Sequence, residues 1–335
     1  MIDERPGLNP KRLVGLMHAA IARCRLNLSG TVVLTEAASG AYVVTPVLAA
    51  MAGADQVFAI SRTTKYGTFE EIRANTQYLA KLAGVEPRLK IITQKTRDIV
   101  NQADIITNSG HVRPIDAEMI GWMKPGAVVP LMYEAWEFRD ADLDLTACHK
   151  HGIRVAGTNE RHPAVEVFKF LGDMSLKLLF DMGVALSFSR VLVLCDNDFA
   201  PFIERGLIGS CAKVTIVEAL HQANSSGSID AVIVALKPQV YPVITAADAA
   251  EIAGRWPGTV LGQLWGDVDR RALEEAGVPT WPASPPAPGH MGVLPSELGP
   301  EPVVRLQSGG LKVGEVLLRL ANRNIEADRE FLDVL

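Results

Sequence analysis

Residues 31–62, TVVLTEAASGAYVVTPVLAAMAGADQVFAISR, decide the fold. The stretch opens on a short apolar run, Thr31-Val-Val-Leu34, which reads as a buried strand. A turn of mostly small residues follows, Thr35-Glu36-Ala37-Ala38-Ser39-Gly40, then an apolar helix from Ala41 to about Ala52. After Gly53-Ala54 a second apolar run, 56–60, starts another strand. Two short strands without polar alternation, joined through a helix, form a parallel unit whose strands are covered on both faces.

The same rhythm extends outward from this unit. Strands are predicted at 31–35, 56–60, 89–93, 104–107, 127–132 and 153–156, with helical stretches between most of them. Upstream, Asn9-Pro10 starts a helix to about Leu26, with Leu13, Leu16, Met17, Ala20, Ile21 and Cys24 at helical spacing. Downstream, Val165, Phe168, Leu171, Ser175, Leu178, Leu179 and Met182 form an apolar stripe that predicts a long helix from Pro163. The alternation then restarts, with strands at 190–194, 213–217, 231–236, 259–264 and 279–281.

The expected class is therefore α/β, with two doubly wound parallel-sheet (Rossmann-like) domains joined by a long helix. The boundaries are an N-terminal helix in 1–27, a nucleotide-binding domain over 28–163, the linking helix 164–185, a second smaller α/β domain over 186–305, and a C-terminal helix and tail in 306–335. Residues 282–302 carry proline at seven positions, so this segment reads as a long ordered loop or lid. The last helix is expected from about Gly310 to Asn322.

At 335 residues the chain is too long for one small module, and its 33 Lys+Arg against 38 Asp+Glu leave a net charge of −5. That balance gives no general attraction for phosphate backbones or anionic lipid, so neither nucleic acid nor membrane is an expected partner. The cysteines, Cys24, Cys148, Cys195 and Cys211, form no CxxC pair, which suits reduced thiols in a cytoplasmic protein. Cys148-His149-Lys150-His151 lacks a second Cys/His pair to complete a tetrahedral site, and its place at a helix end explains its cations, so no metal is expected. A homo-oligomer is expected.

The turn after the first strand is the candidate phosphate loop. Laid on Thr35, Ala37 and Gly40, a G-x-G-x-x-G fingerprint reads T-x-A-x-x-G, with small residues where a diphosphate must approach the backbone. Shifted two places, the pattern would put Tyr42 where helix and strand pack closely. Ser39, Gly40 and Ala41 thus become the expected diphosphate contacts. At the end of the second strand, Ser61, Arg62 and Thr63 stand where an NAD site places a carboxylate, and Arg62 suits the 2′-phosphate of NADP. The carboxyl ends of later strands add Asn108, Ser109 and Gly110 to the cofactor set. They also supply His111, Glu134, Glu137 and His162 as acid/base candidates.

Two stretches resemble the D-2-hydroxyacid dehydrogenase family. The first runs from Ala103-Asp-Ile-Ile-Thr-Asn-Ser-Gly110 to Gly157-Thr-Asn159 and the helix after Ala164. The second runs from Asp230-Ala-Val-Ile-Val-Ala-Leu236 through Gly262-Gln-Leu-Trp-Gly266 to Pro288-Gly-His-Met-Gly292. The resemblance implies an oxidoreductase with His290 as acid/base residue. The chain departs from that family at Leu194-Cys-Asp-Asn-Asp-Phe199, where a glycine-rich turn would bind NAD, and at Trp265, where the family has its catalytic Arg. The family's partner acid would fall in a segment of this chain, Thr280-Trp-Pro-Ala-Ser-Pro285, that holds no acid. Two Asp side chains beside a diphosphate repel it, which moves the expected cofactor site to the first domain. The first domain is also similar at fold level to the Rossmann domains of shikimate dehydrogenases and ornithine cyclodeaminases.

The expected function is an NAD(P)-dependent oxidoreductase acting on a small-molecule substrate in the cleft between domains. A diverged non-redox protein binding another adenosine ligand, such as S-adenosylmethionine, is one alternative. A non-catalytic scaffold of a biosynthetic pathway, anchored through Trp122, Trp136, Trp265 or Trp281, is another.

Overall fold

The computed structural model describes residues 5–211, 213–223, 227–320 and 326–335. The chain divides into two compact units, residues 1–167 with 299–335, and 168–298.

In the first unit, α1 (Pro10–Cys24) starts where Asn9 accepts from the N–H groups of Lys11 and Arg12. Six strands follow: β1 (Val32–Glu36), β2 (Gln56–Ile60), β3 (Leu89–Ile92), β4 (Ile105–Ile106), β5 (Val128–Pro130) and β6 (Arg154–Thr158). Between them run α2 (Val44–Met51), α3 (Phe69–Leu82), α4 (Arg97–Gln102), α5 (Ala117–Trp122) and α6 (Leu145–Lys150). The six strands are parallel in the order β3-β2-β1-β4-β5-β6. Successive residues of a strand point to opposite faces. Val33 accordingly packs into the layer of α1 and α2, and Leu34 into the layer of α5 and α6. The sheet is doubly wound, and its strand order reverses between β1 and β4.

The second unit holds α7 (Phe170–Asp181), β7 (Arg190–Leu194), α8 (Ala200–Leu207), β8 (Lys213–Val217), β9 (Ala231–Ala235), α9 (Ala246–Arg255), β10 (Val260–Trp265), α10 (Arg270–Glu275) and β11 (Thr280–Trp281). Its strands are parallel in the order β8-β7-β9-β10-β11. Here α7 and α8 touch backbone to backbone at Gly172 and Gly206, where a side chain on either residue would collide with the other.

The chain then returns to the first unit through α11 (Pro300–Arg319) and β12 (Leu332–Asp333). Helix α11 lies on the sheet so closely that a Cβ at Gly314 would stand 2.9 Å from Ile105. Strand β12 pairs antiparallel with β6 and becomes the sheet edge. The last helix begins at Pro300, ten residues before the expected Gly310. Its prolines occupy the first turn, where missing N–H groups cost nothing. Its expected end at Asn322 lies outside the described residues, as do Met1–Glu4 of the N-terminal region.

The linking helix also differs from expectation, starting at Phe170 rather than Pro163 after a short 3-10 turn at Val167–Lys169. Carbonyls that a helix would use internally are taken by arginines: Arg23 Nε donates to Ala164 O at 2.7 Å, and Arg305 to Val165 O at 3.3 Å. Glu166 adopts a left-handed φ of 54° and pairs with Arg305, which further breaks the helical path.

Candidate functional site

A strand-order reversal leaves a crevice at the carboxyl ends of the two diverging strands. In the first unit its walls are the turns after β1 and β4. Thr35, Thr107 and Ser109 line up there, with Thr107 Oγ1 2.8 Å from Thr35 Oγ1 and 2.7 Å from Ser109 Oγ. Past β1, Ala37 is buried and donates its N–H to Ile60 O. Ser39 then precedes a 3-10 turn over Gly40–Val43 without using its hydroxyl as a cap. Among the described residues the N–H groups of Ala38, Ser39 and Gly40 find no protein acceptor. Gly40 has φ 61°, and a Cβ built on it would meet nothing within 4 Å, so the space above the turn is open. Free amides at a helix start beneath open space are what an anion requires.

Glu36 closes the other side of the crevice. It is the last residue of β1, 8% exposed, and its Oε2 accepts the N–H of His111 at 3.1 Å. A side chain at Gly110 would crowd that same oxygen at 3.3 Å. Burial pushes the Glu36 carboxyl above its ordinary range, against the opposing pull of the His111 amide and Arg113. Around it several buried polar atoms lack protein partners: Ser61 Oγ, Asn108 Nδ2, His111 Nδ1 and Arg113 Nε. Asn108 spends its Oδ1 on the N–H of Met132. Such orphaned atoms are rare unless a ligand or water meets them. Burial, and then the charge of Arg62, holds His111 below the usual imidazole value, hence neutral at pH 7. Arg62 itself is exposed, with no ion pair among the described residues. Beside it Thr63 is spent on capping, its Oγ1 accepting from Phe69 N at 3.0 Å.

The β5–β6 side of the edge is acidic. Glu134, 2% exposed, accepts from Trp136 Nε1 at 2.7 Å and from Glu160 N at 3.2 Å. Its carboxyl is raised, mainly by burial. Burial and the neighbouring Glu134 charge push Glu137 up to about 7, and Glu160 is also raised, by burial and then by Glu137. Tyr42 feels Glu36, Glu137 and Glu160 together and, with burial as the first cause, is pushed to about 12. Asp333 of β12 reaches the same edge and accepts Ala135 N at 2.7 Å. His162 stacks on Phe331 with ring centroids 3.7 Å apart, and its Nδ1 accepts Ala164 N. It is tied into the packing of the C-terminal segment.

The structure thus gathers Thr35, Ala37, Ser39, Gly40, Ala41, Ser61, Arg62, Asn108, Ser109, Gly110, His111, Glu134 and Glu137 along one sheet edge of the first unit. His290 lies in the second unit, in the proline-rich segment, where its N–H donates to Ala287 O. At the corresponding reversal of that unit, between β7 and β9, side chains after β7 bond across to the end of β9. Asn197 Nδ2 donates to Ala235 O at 2.7 Å, and Asp196 Oδ1 accepts Lys237 N at 2.9 Å. Phe199 lies against Trp265, 4.9 Å between centroids. Among the described residues no group of three His, Cys, Asp or Glu could hold a metal ion, and no helix is long and apolar enough to cross a membrane.

Sequence reasoning missed Glu160, Arg113, Tyr42 and Asp333 as site residues. Tyr42 entered only as an obstacle to one fingerprint register, while Glu160 stood unselected between chosen rim residues. Asp333 sits on a two-residue strand, which leaves no periodic signal.

No protein-family model matches this sequence, nor does any curated protein. Among solved structures, the chain is similar to a component of dipicolinate synthase from Bacillus halodurans, with 14% identity over 89% of this chain and 99% of that one and a TM-score of 0.54. It is also similar to a D-3-phosphoglycerate dehydrogenase-type oxidoreductase from Ralstonia solanacearum, with 12% identity over 73% and 91% and a TM-score of 0.39. A shikimate 5-dehydrogenase from Listeria monocytogenes, solved with shikimate and NAD, matches with 11% identity over 43% and 51% and a TM-score of 0.30. At 14% identity the likeness to the dipicolinate synthase component is one of fold, and the doubly wound parallel sheet makes that fold Rossmann-like.

Proposed function

We propose that the protein is an NAD(P)-dependent oxidoreductase that holds its dinucleotide at the carboxyl edge of the first unit's sheet. The observation that carries the reading is the turn at Ala38–Gly40, whose unpaired N–H groups lie beneath open space at the strand-order reversal. The residues present fit such a group: Ser39, Gly40 and Ala41 would hold the diphosphate, with orphaned Ser61 Oγ and Asn108 Nδ2 nearby as further donors. Arg62 would meet the adenosine end, and the absence of a carboxylate in Ser61–Thr63 favours the 2′-phosphate of NADP over NAD.

When bound, the nicotinamide supplies hydride transfer. The chain's own part is proton handling at the acidic side of the edge. Glu137, held near neutrality, can carry or release a proton at physiological pH, the condition for a general acid or base acting on a small-molecule substrate. Glu134 is anchored by Trp136 and the Glu160 amide, so its role is to set the field around Glu137.

Titration of the purified chain with NADPH and NADH, read by nucleotide fluorescence and thermal shift, tests the proposal. Saturable binding with preference for NADPH is expected. Absence of any response to either nucleotide would overturn it.

A further inference from the structure

The diphosphate turn has an acid beside it that a phosphate-binding site does not obviously need. Glu36 stands at the end of β1, one residue before the turn, and is more than nine-tenths buried. Its carboxyl reaches over Gly110, a position where the missing side chain makes room for it, and rests on the His111 amide. The groups facing it are Tyr42 from its own turn and Arg113 and His111 from the β4 loop; β2 ends alongside on Ile60 and Ser61, neither charged. Arg113 donates through one guanidinium nitrogen to Asp142 at 2.6 Å, and its remaining pull on Glu36 is outweighed by burial.

Resting on the dinucleotide reading above, we propose that Glu36 acts in its protonated form as a hydrogen-bond donor to the bound diphosphate, and that ionised Glu36 expels it. The neutral acid adds a donor to the amides of Ala38–Gly40. The carboxylate would instead place a negative charge against the two charges of a diphosphate, where burial screens their repulsion poorly. Burial keeps the group protonated beyond the usual carboxylate range, and a bound anion favours that form further. Glu36 is thus a positioning and gating residue for the nucleotide, and binding is coupled to a proton.

The sign follows from that coupling. Above the pH at which Glu36 ionises in the free protein, each binding event must restore its proton, so affinity falls toward tenfold per pH unit. The dissociation constant for NADPH is measured from pH 7 to 9.5, above the second ionisation of a phosphate at about 6. Wild type is expected to weaken progressively, while Glu36→Gln, which keeps a donor and cannot ionise, stays within about twofold. Calorimetry of wild type at pH 8.5 in buffers of differing ionisation enthalpy reads the same proton without a variant, and net proton uptake on binding is expected. A flat profile in wild type, equal slopes in both proteins, or no uptake would overturn the role of Glu36 while leaving the dinucleotide site standing. Failure of both proteins to bind NADPH at any pH would overturn the site itself, and binding by wild type but not by Glu36→Gln would overturn the role of Glu36.

Discussion

Replacing Glu137 by Gln should stabilise the protein, and only above about pH 5. Glu137 ionises near 7 in the folded chain because burial, and then the Glu134 charge, oppose its negative form. In the unfolded chain it ionises at about 4.3. Between those values the folded state holds a proton that the unfolded state has lost, so stability falls as pH rises, by about 1.4 kcal/mol per unit. Above pH 7 the loss is complete, at about 3–4 kcal/mol. Glutamine has the same shape and no charge, so the variant should match wild type at pH 4.5 and exceed it by about 3–4 kcal/mol at pH 8. For a unit of roughly 200 residues this is about 6–16 °C in melting temperature. Thermal melts by circular dichroism from pH 4.5 to 8.5 measure the difference. A constant offset across that range, or a gain confined to the acid side, would refute the reasoning.

Three further substitutions probe other parts of the structure. Arg62→Ala should weaken NADPH by about 10–100-fold, the value of one charge-assisted contact to phosphate, and leave NADH within about twofold in the same fluorescence titration. Lys312→Met removes a cation, 1% exposed, that lies 3.2 Å from Glu315 and 3.0 Å from Asp328. Because Arg319 stays on Glu315, the loss should be near the lower end for a broken buried pair, about 3 kcal/mol, seen as a lowered melting temperature. Gly206→Val drives a side chain into the Gly172 backbone, so α7 and α8 must separate, and a loss above about 3 kcal/mol is expected in denaturant titration.

The strands were legible because each is short, apolar throughout and flanked by helices, a pattern that follows directly from two-sided burial. Val191, Leu192, Val193 and Leu194 show it plainly, since every one is buried and alternate residues go to opposite faces. The start of α11 was hidden by Pro300 and Pro302, which read as loop residues unless they fall in a first turn. Its burial was hidden as well, because Gln307, Ser308, Lys312 and Glu315 are polar yet inside, each satisfied by a partner far away in sequence. The same holds for the linker, where Arg23 and Arg305 claim carbonyls more than a hundred residues distant.

At the site, the small-residue turn was visible in the sequence, since close backbone approach demands small side chains. The orientation of Glu36 was not, because a carboxyl over Gly110 requires the pairing of β1 with β4. Nor could residue order show that Asn197 and Asp196 bond across to the end of β9, which needs β7 beside β9.

The most direct test of a nucleotide site in the first unit is a crystal structure of the chain grown with NADPH. The account predicts diphosphate oxygens within hydrogen-bonding distance of the amides of Ser39, Gly40 and Ala41, with the 2′-phosphate against Arg62. Diphosphate bound beside Asp196 in the second unit, or a turn that stays empty at saturating nucleotide, would contradict it.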